Sequence, residues 1–203
     1  MKKIAVVGYK GKMGSLIYQA LRPEFEVVGI DKDDSLFDCF NLDLVIDFAS
    51  AESSVNSARF CLKYSIPLII GATGQNDVQN HEIEEISKVI AVYKSPNFSS
   101  GIEEILKLSK SVLELKPSKV EIVEKHHIHK KDSPSGTAIY LYDELKRIYQ
   151  GKIEITSIRE GEEVGQHSII FWFDNEKITL THNAFSRYAF VNGVTKLVNI
   201  LLN

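Results

Sequence analysis

The chain has 203 residues, 44% hydrophobic and 25% charged, with a formal net charge of −3. That length can bury a real core in one large domain or two small ones. The near-neutral balance supplies no broad basic field, which argues against nucleic acid as a partner.

The two cysteines, Cys39 and Cys61, have neither metal-ligand spacing nor a disulfide framework, which fits a reducing compartment. No apolar run approaches a membrane span, and residues 4–7 behind Lys2 and Lys3 are too short for a signal-peptide core. The expectation is a cytoplasmic globular protein with no membrane partner.

In chain order, residues 4–7 read as a buried strand and 11–21 as a helix closed near Pro23. Strands follow at 27–30 and 44–46, a helix at 53–64, a strand at 68–70, a helix around 78–87 and a strand at 89–93. Continuous apolar strands alternating with helices predict parallel βαβ units covered on both faces. The fold class is α/β, a Rossmann-like doubly wound sheet with its ligand crevice at the carboxyl ends of the strands.

After Ser95-Pro96-Asn97 the pattern changes. A helix over 101–115 capped by Ser99 and a strand over 120–123 come first. Ser133 is the expected N-cap of the next helix, with Pro134 at its first position, Ala138, Leu141, Leu145 and Ile148 as its apolar stripe, and Gly151 at its end. Strands over 153–158, 168–173 and 177–181 follow, the last two joined at residues 174–176. Strands in series signal a second, α+β domain. A helix over 187–202, with Phe190, Val194, Leu197, Val198 and Leu201 on one side, closes the chain and is expected to pack on the first domain. The expected division is 1–97 with 186–203 for dinucleotide binding, and 98–185 for substrate binding and assembly.

The first strand runs into Gly8-Tyr9-Lys10-Gly11-Lys12-Met13-Gly14, where glycines allow a tight turn and close approach to a pyrophosphate. The spacing departs from the usual G-x-G-x-x-G, so a plain strand-to-helix turn stays open as an alternative. Asp31 ends the second strand about twenty residues further on, where a carboxylate can accept from an adenosine ribose. It favours NADH, although Lys32, Lys10 and Lys12 could admit NADPH. Gly71-Ala72-Thr73-Gly74 and Ser95-Pro96-Asn97-Phe98 close the fourth and fifth strands, where a nicotinamide would lie; bland turns are equally compatible.

The fifteen residues 124–138, E-K-H-H-I-H-K-K-D-S-P-S-G-T-A, gather His126, His127 and His129 with Lys125, Lys130 and Lys131 before a helix start. A metal is disfavoured by the lysines, and a strand would point His126 and His127 to opposite faces. A solvated charged loop is the bland alternative. The better fit is an anion site with an acid/base group. The N–H groups of Ser135, Gly136 and Thr137 can grip a carboxylate, and neighbouring positive charge should lower a histidine's pKa towards neutral proton exchange.

At these residues the chain resembles the dihydrodipicolinate reductase family, also called 4-hydroxy-tetrahydrodipicolinate reductases. The signature E-x-H-H-x-x-K-x-D-x-P-S-G-T-A is matched by Glu124, His126, His127, Lys130, Asp132 and residues 134–138. The resemblance also covers Gly8 to Gly14, Val45-Ile46-Asp47-Phe48, Gly71 to Gly74, Pro96-Asn97-Phe98-Ser99, Arg159-x-Gly161, Gly165-x-His167 and Ser186-Arg187.

It implies His126 as acid/base residue, Lys130 as proton donor, and His127, Lys130, Gly136 and Thr137 as contacts to a dicarboxylate substrate. It implies NADH or NADPH contacts from Gly8, Tyr9, Lys10, Gly11, Lys12 and Met13, from Asp31, from Gly71, Ala72 and Thr73, and from Ser95, Pro96, Asn97 and Phe98. It further implies a homotetramer built through an open sheet.

Lys12 stands where relatives usually carry arginine, which keeps charge but loses the planar fork, and Ala72 stands where threonine is common. Relatives usually run on through a G-x-Y-rich tail beyond the point reached by Asn203. Two other functions remain to be weighed. One is a dehydrogenase of another amino dicarboxylate such as aspartate, and the other is a catalytically dead nucleotide sensor. The retained His126 and Lys130 disfavour the sensor.

Overall fold

The computed structural model describes residues 1–202, divided into two compact units: Met1–Phe98 with the segment from Val191 onward, and Ser99–Phe190. The first unit holds β1 (Lys3–Val7), α1 (Lys12–Leu21), β2 (Glu26–Ile30), β3 (Leu44–Asp47), α2 (Ala51–Tyr64), β4 (Leu68–Ile70), α3 (Asp77–Ser87) and β5 (Val92–Lys94). Its five strands are all parallel in the order β2-β1-β3-β4-β5. The Rossmann-like sheet expected from the apolar runs is thus present.

The alternation of side chains along each strand divides the core in two. Ala5, Val7, Val45, Leu68 and Ile70 pack with Ala58 and Cys61 of α2 and Ile83 and Ile86 of α3. Ile4, Val6, Leu44, Ile46 and Ile69 pack with Ile17 and Leu21 of α1 and with Val191, Val194 and Val198. Those last three residues lie on α6 (Tyr188–Leu202), so the final helix completes the covering of the sheet's second face. β5 begins later than the expected residue 89. The N–H groups of Val89 and Ile90 both donate to the Ile86 carbonyl to finish α3, leaving Val89 exposed.

The second unit contains α4 (Ser100–Leu113), β6 (Lys119–His126), α5 (Gly136–Lys146), β7 (Ile153–Arg159), β8 (Gly165–Trp172) and β9 (Lys177–Ala184). The sheet order is β7-β6-β8-β9, with β6 and β7 parallel and the other pairs antiparallel. One face carries Val120, Ile122, Ile169 and Phe171 under Ile102 and Ile105 of α4 and Ala138, Leu141 and Leu145 of α5. On the other face of the strands, Glu121, Val123, Ser168 and Ile170 are half-buried and Thr179 and Thr181 are exposed. Trp172 lies there between the ammonium groups of Lys119 and Lys177.

Three sequence expectations change here. β6 runs on to His126 and β8 starts at Gly165, three residues earlier than expected, with Glu124 opposite His167 across the ladder. The cap of α5 is Ser135 rather than Ser133, because the Ser135 hydroxyl accepts from the Ala138 N–H at 3.2 Å. Pro134 therefore precedes the cap, in a cis peptide after Ser133, instead of occupying the first helical position. Finally, α5 stops at Lys146, where the N–H groups of Ile148 and Tyr149 both turn back to the Leu145 carbonyl. Among the described residues, no helix is long and apolar enough to cross a membrane.

Leu141 is fully buried between α5 and the second sheet, whereas Ile200 on α6 is 65% exposed. Leu141→Ala is expected to lower unfolding free energy by about 2–5 kcal/mol, and Ile200→Ala by less than about 0.5 kcal/mol. Denaturant titration of the two variants checks the contrast.

Candidate active site

In the first unit, the glycine loop follows β1 and is shaped by close backbone approach. Gly8 has φ +79°, and a Cβ there would meet Ala49 Cα at 2.9 Å. At Gly14 a Cβ would come within 2.2 Å of the Gly8 carbonyl oxygen. These two contacts leave no room for a side chain at positions 8 and 14, and the Gly11 N–H donates to the Gly8 carbonyl at 2.9 Å. No side chain caps α1 and its first turn has no acidic residue, so N–H groups at its start are available to an anion. Tyr9 packs its ring where Gly29 has no side chain and beside the Tyr18 ring, and Lys10 lies over Tyr9. Lys12 is exposed, and Met13 packs against the core.

A cavity of about 580 Å³ opens beside this loop, lined by Gly8, Asp31, Lys32, Ser35, Ala49, Ser53 and Ser57 among others. Asp31 Oδ1 accepts from the Lys32 N–H at 2.9 Å, and its Oδ2 stands 3.5 Å from Lys10 Nζ. These features fit a dinucleotide: a backbone cradle that a Cβ would fill, an open helix start, and a carboxylate at the end of β2.

The turns after β4 and β5 sit at the same carboxyl edge of the sheet. The Gly71 and Ala72 N–H groups donate to the Asp47 carbonyl, and a Cβ on Gly71 would strike the Phe48 ring. Ala72 is buried and Thr73 is exposed. The Ser95 N–H donates to the Ile70 carbonyl, the Ser95 hydroxyl accepts from the Asn97 N–H, and Asn97 and Phe98 are buried around Pro96.

Asp47, noted in the sequence only as part of a resemblance, is the buried anchor of this edge. Its carboxylate accepts from the Ala49 N–H and from the hydroxyls of Ser53 and Ser57, at 2.9, 2.7 and 2.6 Å. Burial pushes its pKa up and the three hydrogen bonds oppose that push. Burial, helped by Asp47, raises the Cys61 thiol to about 12, so Cys61 stays protonated near neutrality.

The second unit brings the acid/base candidates together at the end of β6. His126 is 7% exposed and its Nδ1 lies 2.5 Å from Glu124 Oε2. Arg159, aligned with His126 on the neighbouring strand β7, grips Glu124 bidentately, with Nη1 to Oε2 at 2.9 Å and Nη2 to Oε1 at 2.7 Å. Burial alone would raise the Glu124 pKa, but hydrogen bonds from Arg159, Ser157 and His126 overcome it and bring it down to about 2. Burial lowers the His126 pKa; Glu124 opposes this, and the charges of Lys130 and Arg159 add to the lowering. The His167 ring stands edge-on to His126 at 5.1 Å, and its Nε2 is 3.2 Å from the Ser135 hydroxyl. Burial, then His126, bring its pKa down to about 3, so His167 is neutral at ordinary pH.

Lys130 follows on the turn after β6, its N–H donating to the His127 carbonyl and its Nζ 2.8 Å from Asp132. The Asp132 carboxyl is also hydrogen-bonded by the Gly136 N–H, so one side chain carboxylate already meets both a lysine and the start of α5. The Ser135 N–H is committed to Glu124 Oε1 at 3.2 Å rather than free for a ligand. Thr137 is buried in the first turn of α5. His127 is half-buried and its N–H donates to the Glu163 carbonyl, while His129 is exposed. Lys125 is spent on Glu160 and Glu163.

Glu124, His126 and His167 present ligating atoms within 4.8 Å of one another, a spacing a metal could use. Both Glu124 oxygens, however, already accept from Arg159, whose fixed positive charge opposes a cation. The Glu124 oxygens are satisfied by hydrogen-bond donors and a guanidinium instead. Arg159 and His167 carried only a resemblance in the sequence, since 35 and 43 residues of chain separate them from Glu124.

Comparison with known proteins extends along the whole chain. Residues 2–98 match the model "Dihydrodipicolinate reductase, N-terminus", and residues 101–203 match "Dihydrodipicolinate reductase, C-terminus". The 4-hydroxy-tetrahydrodipicolinate reductase of Thermosipho africanus is 36% identical over 99% of this chain and 92% of its own length. That of Caldanaerobacter subterraneus subsp. tengcongensis is 34% identical over 100% of this chain and 93% of its own.

Among solved structures, a dipicolinate-bound dihydrodipicolinate reductase from Paenisporosarcina sp. TG-14 superposes with a TM-score of 0.78 at 24% identity, covering 100% of this chain and 95% of that one. An aspartate dehydrogenase from Thermotoga maritima shares the fold more loosely, with a TM-score of 0.63 at 12% identity, covering 100% and 97%. With both halves of the family model and full-length relatives in agreement, the chain belongs to the dihydrodipicolinate reductase family.

Proposed function

We propose that this protein reduces 4-hydroxy-tetrahydrodipicolinate, by way of dihydrodipicolinate, to tetrahydrodipicolinate, using NADH or NADPH, in the diaminopimelate route to lysine. The observation that carries this reading is the pairing of a buried Glu124–His126 couple with Lys130 and the start of α5 in a family member that also holds a dinucleotide cradle.

When bound, the nicotinamide supplies hydride. The second unit supplies the rest. Lys130 and the Gly136 N–H meet a substrate carboxylate in the way they now meet Asp132, with Thr137 and His127 completing the contact. Loss of the ring hydroxyl as water leaves a conjugated imine, and addition of hydride at its fourth carbon sends charge to nitrogen as an enamine. A proton delivered by His126 or Lys130 then restores the imine. His126 and Lys130 are the catalytic residues of this scheme, with substrate held by His127, Lys130, Gly136 and Thr137, while Ser135, its N–H and hydroxyl already engaged, caps α5 beside them. A cytoplasmic location fits this pathway step.

The cofactor contacts are Gly8 through Met13, Asp31, Gly71 through Thr73, and Ser95 through Phe98, all at the carboxyl edge of one parallel sheet. Asp31 faces Lys10 at 3.5 Å, so a 2′-phosphate would meet a carboxylate partly offset by an ammonium. NADH is therefore the favoured cofactor and NADPH an accepted one. The open face of the second sheet, with Ile170 and Trp172, is the surface through which copies of the chain assemble into a tetramer.

Two experiments test these assignments. Lys130→Ala should lower kcat by about 10²–10⁴-fold in an assay coupled to dihydrodipicolinate synthase, while fluorescence titration shows unchanged NADH affinity. Near-native turnover would remove Lys130 from the mechanism. Asp31→Ser should raise the NADPH-to-NADH ratio of kcat/KM by about tenfold, equivalent to roughly 1.4 kcal/mol; an unmoved ratio would mean that Asp31 does not face the adenosine ribose.

A further inference from the structure

Glu124 has 0% of its surface exposed, and an ionised carboxylate in such a place must have its acceptor sites filled. Hydrogen bonds from Arg159, Ser135, Ser157 and His126 fill them. Oε1 receives Arg159 Nη2 and the Ser135 N–H; Oε2 receives Arg159 Nη1 and faces His126 Nδ1. Arginine and a backbone amide can only donate. The Glu124 carboxylate, ionised across the ordinary pH range, can only accept, so His126 Nδ1 must carry its proton. In neutral His126, the other ring nitrogen, Nε2, is then left with a free lone pair.

That nitrogen faces Gly165, where an added Cβ would lie 2.8 Å from Nε2. Gly165 opens β8 directly beside this ring, and its lack of a side chain leaves no Cβ against Nε2. Arg159 does more than neutralise Glu124. Its Nη2 also donates to the Asp132 carbonyl at 2.6 Å, so one guanidinium ties the His126 support to the loop that carries Lys130 towards α5.

We propose that Glu124, clamped by Arg159, is a positioning residue that locks His126 in the Nδ1–H tautomer and presents Nε2, in the space left by Gly165, as the atom that exchanges a proton with the substrate. The inference rests on the reading of His126 as the acid/base group. The charged and titratable groups facing His126 are Glu124, Lys130, Arg159 and His167. Of these only Glu124 favours the protonated ring, since Lys130 and Arg159 act against it and His167 is neutral near pH 7. Removing the Glu124 charge should therefore move the His126 titration to lower pH while also releasing its tautomer.

The test begins with long-range 15N–1H NMR of wild-type protein near neutral pH, where His126 should show a protonated Nδ1 and an unprotonated Nε2. Glu124→Gln should lower kcat on the order of 10²–10⁴-fold, with substrate KM within about threefold of wild type. The limb of the kcat–pH profile that reports His126 should shift to lower pH.

Gly165→Ala leaves Glu124 and Arg159 in place and should lower kcat by crowding Nε2. NADH affinity should be retained in both variants. A protonated Nε2 in the wild type, or a Glu124→Gln enzyme with native kcat and pH profile, would overturn the inference. If Glu124→Gln does not fold, the wild-type tautomer and Gly165→Ala decide the matter. Folded wild-type protein that never oxidises nicotinamide would instead overturn the functional reading, a result separable from the tautomer measurement.

Discussion

The second unit is organised around the cost of burying one negative charge. A carboxylate withdrawn from water is tolerable only when donors surround it, and those around Glu124 come from separate stretches of chain. His126 lies on the same strand, Arg159 on β7 and Ser135 at the cap of α5. Satisfying Glu124 therefore fixes, in one place, the end of β6, its parallel neighbour β7 and the start of α5. The apolar layer of Val120, Ile122, Ile169, Phe171, Leu141 and Leu145 supplies cohesion, but it is indifferent to where His126 points. The carboxylate is what gives that ring an orientation.

The first unit solves a comparable problem with a different acid. Asp47 is also fully buried, but it has no cationic partner among the described residues; one backbone N–H and two serine hydroxyls surround it, and its pKa rises where that of Glu124 falls. The contrast follows from what each surrounds. Arg159 supplies full charge and holds Glu124 ionised beside an imidazole. Neutral donors around Asp47 suffice to pin the turn into α2, and Ala49 of that turn lines the cavity beside Gly8 together with Ser53 and Ser57 of the helix. One carboxylate tunes an imidazole, and the other shapes a cavity wall.

Much of this was legible from local pattern. The apolar runs of β1, β3 and β4 announce a parallel sheet because they are buried on both faces, and the glycine loop announces itself because Gly8 and Gly14 sit where no side chain fits. The extension of β6 to His126 was not legible, since Glu124, Lys125 and His126 are polar and alternate between a buried and a salt-bridged face. Serine before proline is a strong local signal and points to Ser133 as the cap of α5; the Ser135 hydroxyl, already at the Ala138 N–H, prevails. Arg159 and His167 carried no local signal of a role, because their meaning arises only when β7 and β8 are laid beside β6. Local pattern thus places the catalytic candidates, while tertiary pairing reveals what orients them.

Every role assigned to these residues depends on this family member being a working reductase of the dipicolinate type. The most direct test of that activity is oxidation of NADH and of NADPH by the purified wild-type chain, with substrate generated in the cuvette by dihydrodipicolinate synthase. A working reductase gives oxidation that depends on the synthase, reaches the amount of substrate formed, and is faster with NADH. Absence of synthase-dependent oxidation with either cofactor, by protein that folds and binds NADH, would contradict it.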